Sequence, residues 1–266
     1  MFLTKKSIIK IALMAGAYFV LGTACIILAI ICAALQQESK ILYLGILLYP
    51  VCPLIAWWGV YAEGKAKWIA LANRLVMNEL DPDEFLARYH ELISSPDLVI
   101  CKPSMDVLQF VVIAYDSLDD RESCIAAVDD MIAQAPEKKK IFAMINKASV
   151  LFSYGRLEEA EALFTEIRAA KKDLVCTNLT DVVLKSDRAL AMGDDKTAED
   201  YNLKLLEQKF PKINPLTALV AHFSLGKIYE KQQNTQKAIL HYQYCAEHGG
   251  KTAMQSAAKA ALERLQ

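Results

Sequence analysis

Glycine and proline are scarce in this chain, ten and eight among 266 residues. That scarcity excludes a collagen-like repeat and a Pro/Gly-rich disordered chain. Neither sign of charge dominates: 30 basic residues against 31 acidic leave a net −1. No broad field for nucleic acid is expected from such a balance. The seven cysteines contain no Cys-x-x-Cys pair, which removes the usual zinc and redox spacing. An odd, scattered set fits reduced, buried thiols in a cytoplasm. Cys245 and His248 stand at ligand spacing, but no second pair completes a metal site. The four histidines fall in no zinc-protease helix motif, and no Gly-rich phosphate loop is present. The pairs Asp119-Asp120, Glu158-Glu159 and Asp194-Asp195 sit at turns, where acids cap helices. The chain therefore reads as a non-enzyme, with no catalytic residue, no metal and no cofactor.

Charge is also missing locally. None occurs between Lys10 and Glu38, so Ile11–Leu35 is a run of 25 uncharged, mostly apolar residues. As a helix it reaches about 37 Å, enough to cross a bilayer. A second run, Ile41–Ala62, reaches about 33 Å. Gln36-Gln37-Glu38-Ser39-Lys40 joins them as a short polar turn. The first run is longer than the apolar part of a signal peptide, about 7–15 residues. Residues 1–62 are read as a two-span transmembrane hairpin, in contact with the lipid bilayer through residues 11–62. Lys5, Lys6, Lys10, Lys65 and Lys67 flank its outer ends, against Lys40 alone in the loop. The positive-inside rule then puts both termini in the cytoplasm of a multi-pass cell-membrane protein. Neither run contains an ionisable residue, so the hairpin reads as an anchor and not as a transport path.

Beyond residue 62 the chain is water-compatible and slightly acidic. Helical periodicity dominates, with short turns at Leu118-Asp119-Asp120, Tyr154-Gly155-Arg156, Met192-Gly193-Asp194-Asp195 and Gln232-Gln233-Asn234. Residues 144–164 and 222–242 superpose as a repeat: Ala148, Leu151, Ala160 and Phe164 correspond to Gly226, Tyr229, Ala238 and Tyr242. Weaker copies carry Val112, Tyr115, Cys124 and Val128, then Ser186, Ala189, Ala198 and Asn202. The small residues Cys124, Ala160, Ala198 and Ala238 are spaced by 36, 38 and 40. Small residues of this kind let the two helices of a pair approach closely.

This pattern resembles the tetratricopeptide repeat (TPR) family, over about residues 105–250. The resemblance implies an all-α architecture, a TPR-like α-solenoid of helix pairs following the hairpin. Four repeats are expected at about 105–136, 140–172, 179–211 and 218–250. Residues 63–104 form a linking helix pair, opened by Asp81-Pro82-Asp83-Glu84, a strong helix start. Residues 251–266 form a capping helix. Ala148, Leu151, Ala160, Phe164, Gly226, Tyr229, Ala238 and Tyr242 are then packing positions. The family binds peptides on the surface lined by first helices. Carried onto this chain, that lining comprises Gln109, Phe110, Ile113, Asp116, Ile145, Asn146, Ser149 and Phe152. It continues with Val183, Asp187, Phe223, Ser224 and Lys227. Only Asn146 and Lys227 resemble the clamp that one branch uses for a C-terminal carboxylate, so an apolar segment is the better fit. The expected role is a membrane-anchored adaptor or scaffold for a protein or peptide partner. The alternative is an accessory subunit whose hairpin contacts partner spans in a larger membrane complex.

Overall fold

The computed structural model describes residues 2–34, 52–101, 103–170, 179–207 and 213–266. The described residues are overwhelmingly helical; β1 (Phe2–Thr4) and β2 (Leu98–Cys101) add one short antiparallel pair. The chain divides into two compact units, Met1–Ile69 with His90–Ser104, and Ala70–Tyr89 with Met105–Gln266.

The first unit holds α1 (Lys5–Ala34) and most of α2 (Cys52–Ala72). The Thr4 hydroxyl accepts from the Ser7 N–H at 3.2 Å and starts α1. Within α1, Lys5–Ala24 is long and apolar enough to cross a membrane, and none of it is buried. Leu13, Val20 and Leu21 are each about two-thirds exposed. The predicted turn at 36–40 and residues 41–51 of the second predicted span lie outside the described residues. The remainder of that span, from Cys52, lies in α2. Lys10 Nζ meets Glu63 Oε2 at 2.5 Å, and Lys5 pairs with Asp97 at 3.1 Å. Lys5, Lys10 and Lys67 thus meet acids of this same unit.

The second unit begins with a π-helical turn, Asn73–Asn78, and the start of α3 (Pro82–Ile93). The Asp81 carboxylate accepts from the Glu84 N–H at 3.2 Å and caps α3. Eight helices follow as four antiparallel pairs: α4 (Met105–Ser117) with α5 (Arg121–Gln134), and α6 (Glu137–Ser153) with α7 (Leu157–Ala170). Then come α8 (Leu179–Ala191) with α9 (Asp195–Glu207), and α10 (Pro215–Lys231) with α11 (Thr235–His248). The last helix, α12 (Ala253–Leu265), packs on α11. Packing of α5 on α6, α6 on α8, and α9 on α10 joins successive pairs.

One turn recurs in all four pairs. Asp119, Gly155, Gly193 and Gln233 have positive φ, between 56° and 74°. In each case the next N–H reaches a carbonyl five residues back: Asp120 to Tyr115, Arg156 to Leu151, Asp194 to Ala189, and Asn234 to Tyr229, at 2.8–3.0 Å. This left-handed turn satisfies the orphan carbonyls at the end of the first helix. Asp120, Asp194 and Asn234 then accept from N–H groups three residues on and start the second helix. Asp119 and Gln233 hold the left-handed position without glycine, at a local cost of order 1 kcal/mol. Leu80 repeats the geometry ahead of α3, with φ 54° and Asp81 N–H bonded to Leu75 O. There the reach is six residues, because the preceding turn is π-helical.

The small residue five positions after each left-handed one is fully buried: Cys124, Ala160, Ala198 and Ala238 are all 0% exposed. Ala148, Leu151, Phe164, Tyr229 and Tyr242 are buried as well. At Gly226, a Cβ would stand 2.7 Å from the Tyr242 ring, so only glycine allows that approach. One core cluster runs across α6, α7 and α8, from Met144 and Ile145 through Phe164 to Leu184. The two ends of this unit also meet. Lys251 N–H donates to Leu80 O at 2.8 Å, and its ammonium pairs with Asp81 at 2.6 Å. The π-helical turn packs against both α4 and α10.

Candidate functional site

The alternate helices α4, α6, α8, α10 and α12 border a cavity of about 870 Å³, with Met77 of the π-helical turn beside them. That volume lies in the range of ligand pockets, about 300–1,000 Å³. Every lining residue expected from the sequence borders it except Phe110 and Ile145. Ile145 is 3% exposed and belongs to the core cluster with Leu184. It is one residue from Asn146, and one residue turns a helix by about 100°, from the cavity wall into the core. Phe110, one residue from Gln109, is half-buried and likewise outside the lining.

The cavity also has walls that the sequence did not disclose. Ala253, Met254 and Ala257 of α12 contribute one side, as do Met77, Tyr154, Asp195 and Lys231. The spacing of Ala253 and Ala257 on one helical face was the available signal. Nothing in the sequence indicated that the last helix returns to the first ones.

Charge in the lining is mostly paired off. Arg121 binds Asp119 at 2.9 Å, and Lys231 binds Asp195 at 2.8 Å. Asp116, Asp187 and Lys227 remain. Asp187 accepts a hydrogen bond from the Ser149 hydroxyl. Burial pushes its carboxyl up to about 7; the Ser149 bond works against this, the Asp116 charge adds to it, and Lys227 lowers it. Asp116 is raised by the protein crowded around it, with Asp119 adding and the Tyr154 hydroxyl opposing. Lys227 extends over the Phe223 ring, 5.7 Å from its centroid. Among the described residues neither Asp116 nor Lys227 forms an ion pair within 4 Å.

Cys245 is fully buried and donates to Leu219 O at 3.6 Å, and burial pushes its thiol up to about 12. His248 instead lies against Tyr244, ring centroids 4.7 Å apart. The two side chains are thus engaged separately, and no group of three metal-ligand side chains occurs among the described residues. Cys176 and the Asn178-Leu179-Thr180 sequon fall at or beside the undescribed 171–178.

No protein-family model matches this chain, no curated protein matches its sequence, and no solved structure matches its fold.

Proposed function

We propose that this chain is a membrane-anchored adaptor. Residues 11–62 form a two-span hairpin in the cell membrane, and a TPR-like solenoid on the cytoplasmic side binds a protein segment along its inner helices. The observation that carries this reading is the 870 Å³ cavity bordered by alternate helices of consecutive pairs. Four copies of one hairpin turn, and small residues buried at matching positions, support the TPR-like assignment. The unburied apolar surface of α1 supports the anchor, and the Lys10–Glu63 ion pair suits two outer ends on one side of a membrane.

A photo-crosslinking residue at Val183, in the cavity, is compared in cells with one at Glu166, exposed on α7. Protein adducts should form from Val183 and not from Glu166. Adducts from Glu166 alone would move the binding surface elsewhere. A C-terminal tag reached by protease only after the membrane is opened checks the topology.

A further inference from the structure

We propose that the inner cavity receives a short peptide segment carrying one lysine or arginine between apolar residues, its cationic end seated between Asp116 and Asp187. This rests on the adaptor reading above and names the occupant.

The argument begins with a charge count. Four carboxylates border the cavity, Asp116, Asp119, Asp187 and Asp195, against three cations, Arg121, Lys227 and Lys231. Two cations are held by two carboxylates, in the Arg121–Asp119 and Lys231–Asp195 pairs. The remaining two carboxylates share one ammonium, and Lys227 is drawn over the Phe223 ring. With both carboxyls ionised the wall is one positive charge short, and an incoming cation favours that ionised form. A carboxylate confined among protein atoms is stabilised when an incoming cation supplies that charge. The Ser149 bond fixes the Asp187 carboxylate toward α6, leaving its other lone pairs for a donor.

The rest of the wall sets the flanking chemistry. Val112, Ile113, Phe152, Val220, Phe223 and Met254 offer apolar and aromatic surface. Such surface suits apolar neighbours of the basic residue and the methylene stem of its side chain. An anionic segment is disfavoured, because it would meet Asp116 and Asp187 with only Lys227 to receive it.

The test selects random heptapeptides displayed on phage against the detergent-solubilised full chain, with Asn146→Trp, which fills the cavity, as the control. Selected peptides should carry one lysine or arginine flanked by apolar residues. A fluorescein-labelled synthetic copy should bind about tenfold more weakly when Asp116 and Asp187 are both Asn, or when its own basic residue is replaced by citrulline. Lys227→Gln removes the competing ammonium and should tighten binding about threefold, a gain that misfolding cannot produce. Neutral or acidic selected peptides, or binding unchanged in the paired Asn variant, overturn the basic occupant while leaving the adaptor reading in place. No peptide enriched over the Asn146→Trp control overturns both.

Discussion

The third and fourth helix pairs solve the same packing problem by opposite chemistry. In α10 and α11, Gly226 lies against the ring of Tyr242, and the Tyr242 hydroxyl donates to Glu230 at 2.7 Å. In α8 and α9 the equivalent positions are Ser186 and Asn202. Asn202 Nδ2 donates to Ser186 Oγ at 2.7 Å and to Ala198 O at 2.8 Å, with both residues almost fully buried. One interface is filled by an aromatic ring over a glycine, the other by a satisfied polar pair. The requirement at this position is therefore close approach with no unpaired polar group, and neither an aromatic nor a glycine is needed for it.

The comparison breaks most sharply at Tyr242. Tyr242→Ala empties a buried ring site and should destabilise by about 3–5 kcal/mol. Gly226→Val drives methyl groups into the same ring and should cost about 2–3 kcal/mol. Asn202→Ala should cost about 1–3 kcal/mol, because the buried Ser186 hydroxyl loses its partner. Removing both polar groups, as Ser186→Ala with Asn202→Leu, should restore most of that loss. Denaturant unfolding of the detergent-solubilised chain, followed by far-ultraviolet circular dichroism, measures all four. A double variant no better than Asn202→Ala would show that the pair is not a substitute for apolar packing.

The same comparison explains what could be read from the sequence. Ala148 with Phe164, and Gly226 with Tyr242, gave the repeat its register because small and aromatic residues recur at fixed spacing. Ser186 and Asn202 blurred it, since a hydrogen bond between two polar side chains leaves no periodic apolar signature. Eleven of the thirteen positions expected from the register border the cavity, because inner-helix positions repeat with it, but they are about a third of its lining. Phe110 and Ile145 lie outside the lining; for Ile145 a one-residue offset on a helix exchanges wall for core. The α12 wall, and the meeting of Lys251 with Asp81, join residues far apart in the sequence, a property that no local pattern carries. The turns at Leu118-Asp119-Asp120 and Gln232-Gln233-Asn234 were legible, but their left-handed residues were not, because Asp119 and Gln233 are not glycine.

Acid sharpens the contrast, since α8 and α9 contain no histidine. On α10 and α11, His222 Nδ1 and His241 Nδ1 are 2.8 Å apart and share one proton between them as neutral rings. His222 stacks on Tyr244, and His241 on Tyr229. Burial pulls His222 from 6.5 down to about 4, and the charges of His241 and His248 add to this. His241 is lowered by burial and by Lys237. Below pH 6.5 the unfolded chain takes up protons that the folded one refuses, so stability falls as pH drops from 6.5 toward 4. The expected loss is about 1–2 kcal/mol for these half-buried rings. His222→Phe with His241→Phe should flatten the profile in that window.

Asp187 gives the smallest effect, with the opposite sign. Its carboxyl is raised from 3.8 to about 7 in the folded chain, so between those values the folded state holds a proton that the unfolded state has lost. This contribution grows as pH falls from 7 and is complete below 3.8. Above pH 7 the folded chain instead carries an unfavourable charge at the cavity wall. Asp187→Asn removes that charge and still accepts from Ser149. The full shift would correspond to about 4 kcal/mol, but Asp187 is partly open to the cavity, so the variant should be about 1 kcal/mol more stable than the parent near pH 8, with the difference vanishing near pH 4. Unfolding at the two pH values measures it. A variant less stable near pH 8 would mean that Lys227 already neutralises the carboxylate, and the third pair would then carry no charge awaiting a partner.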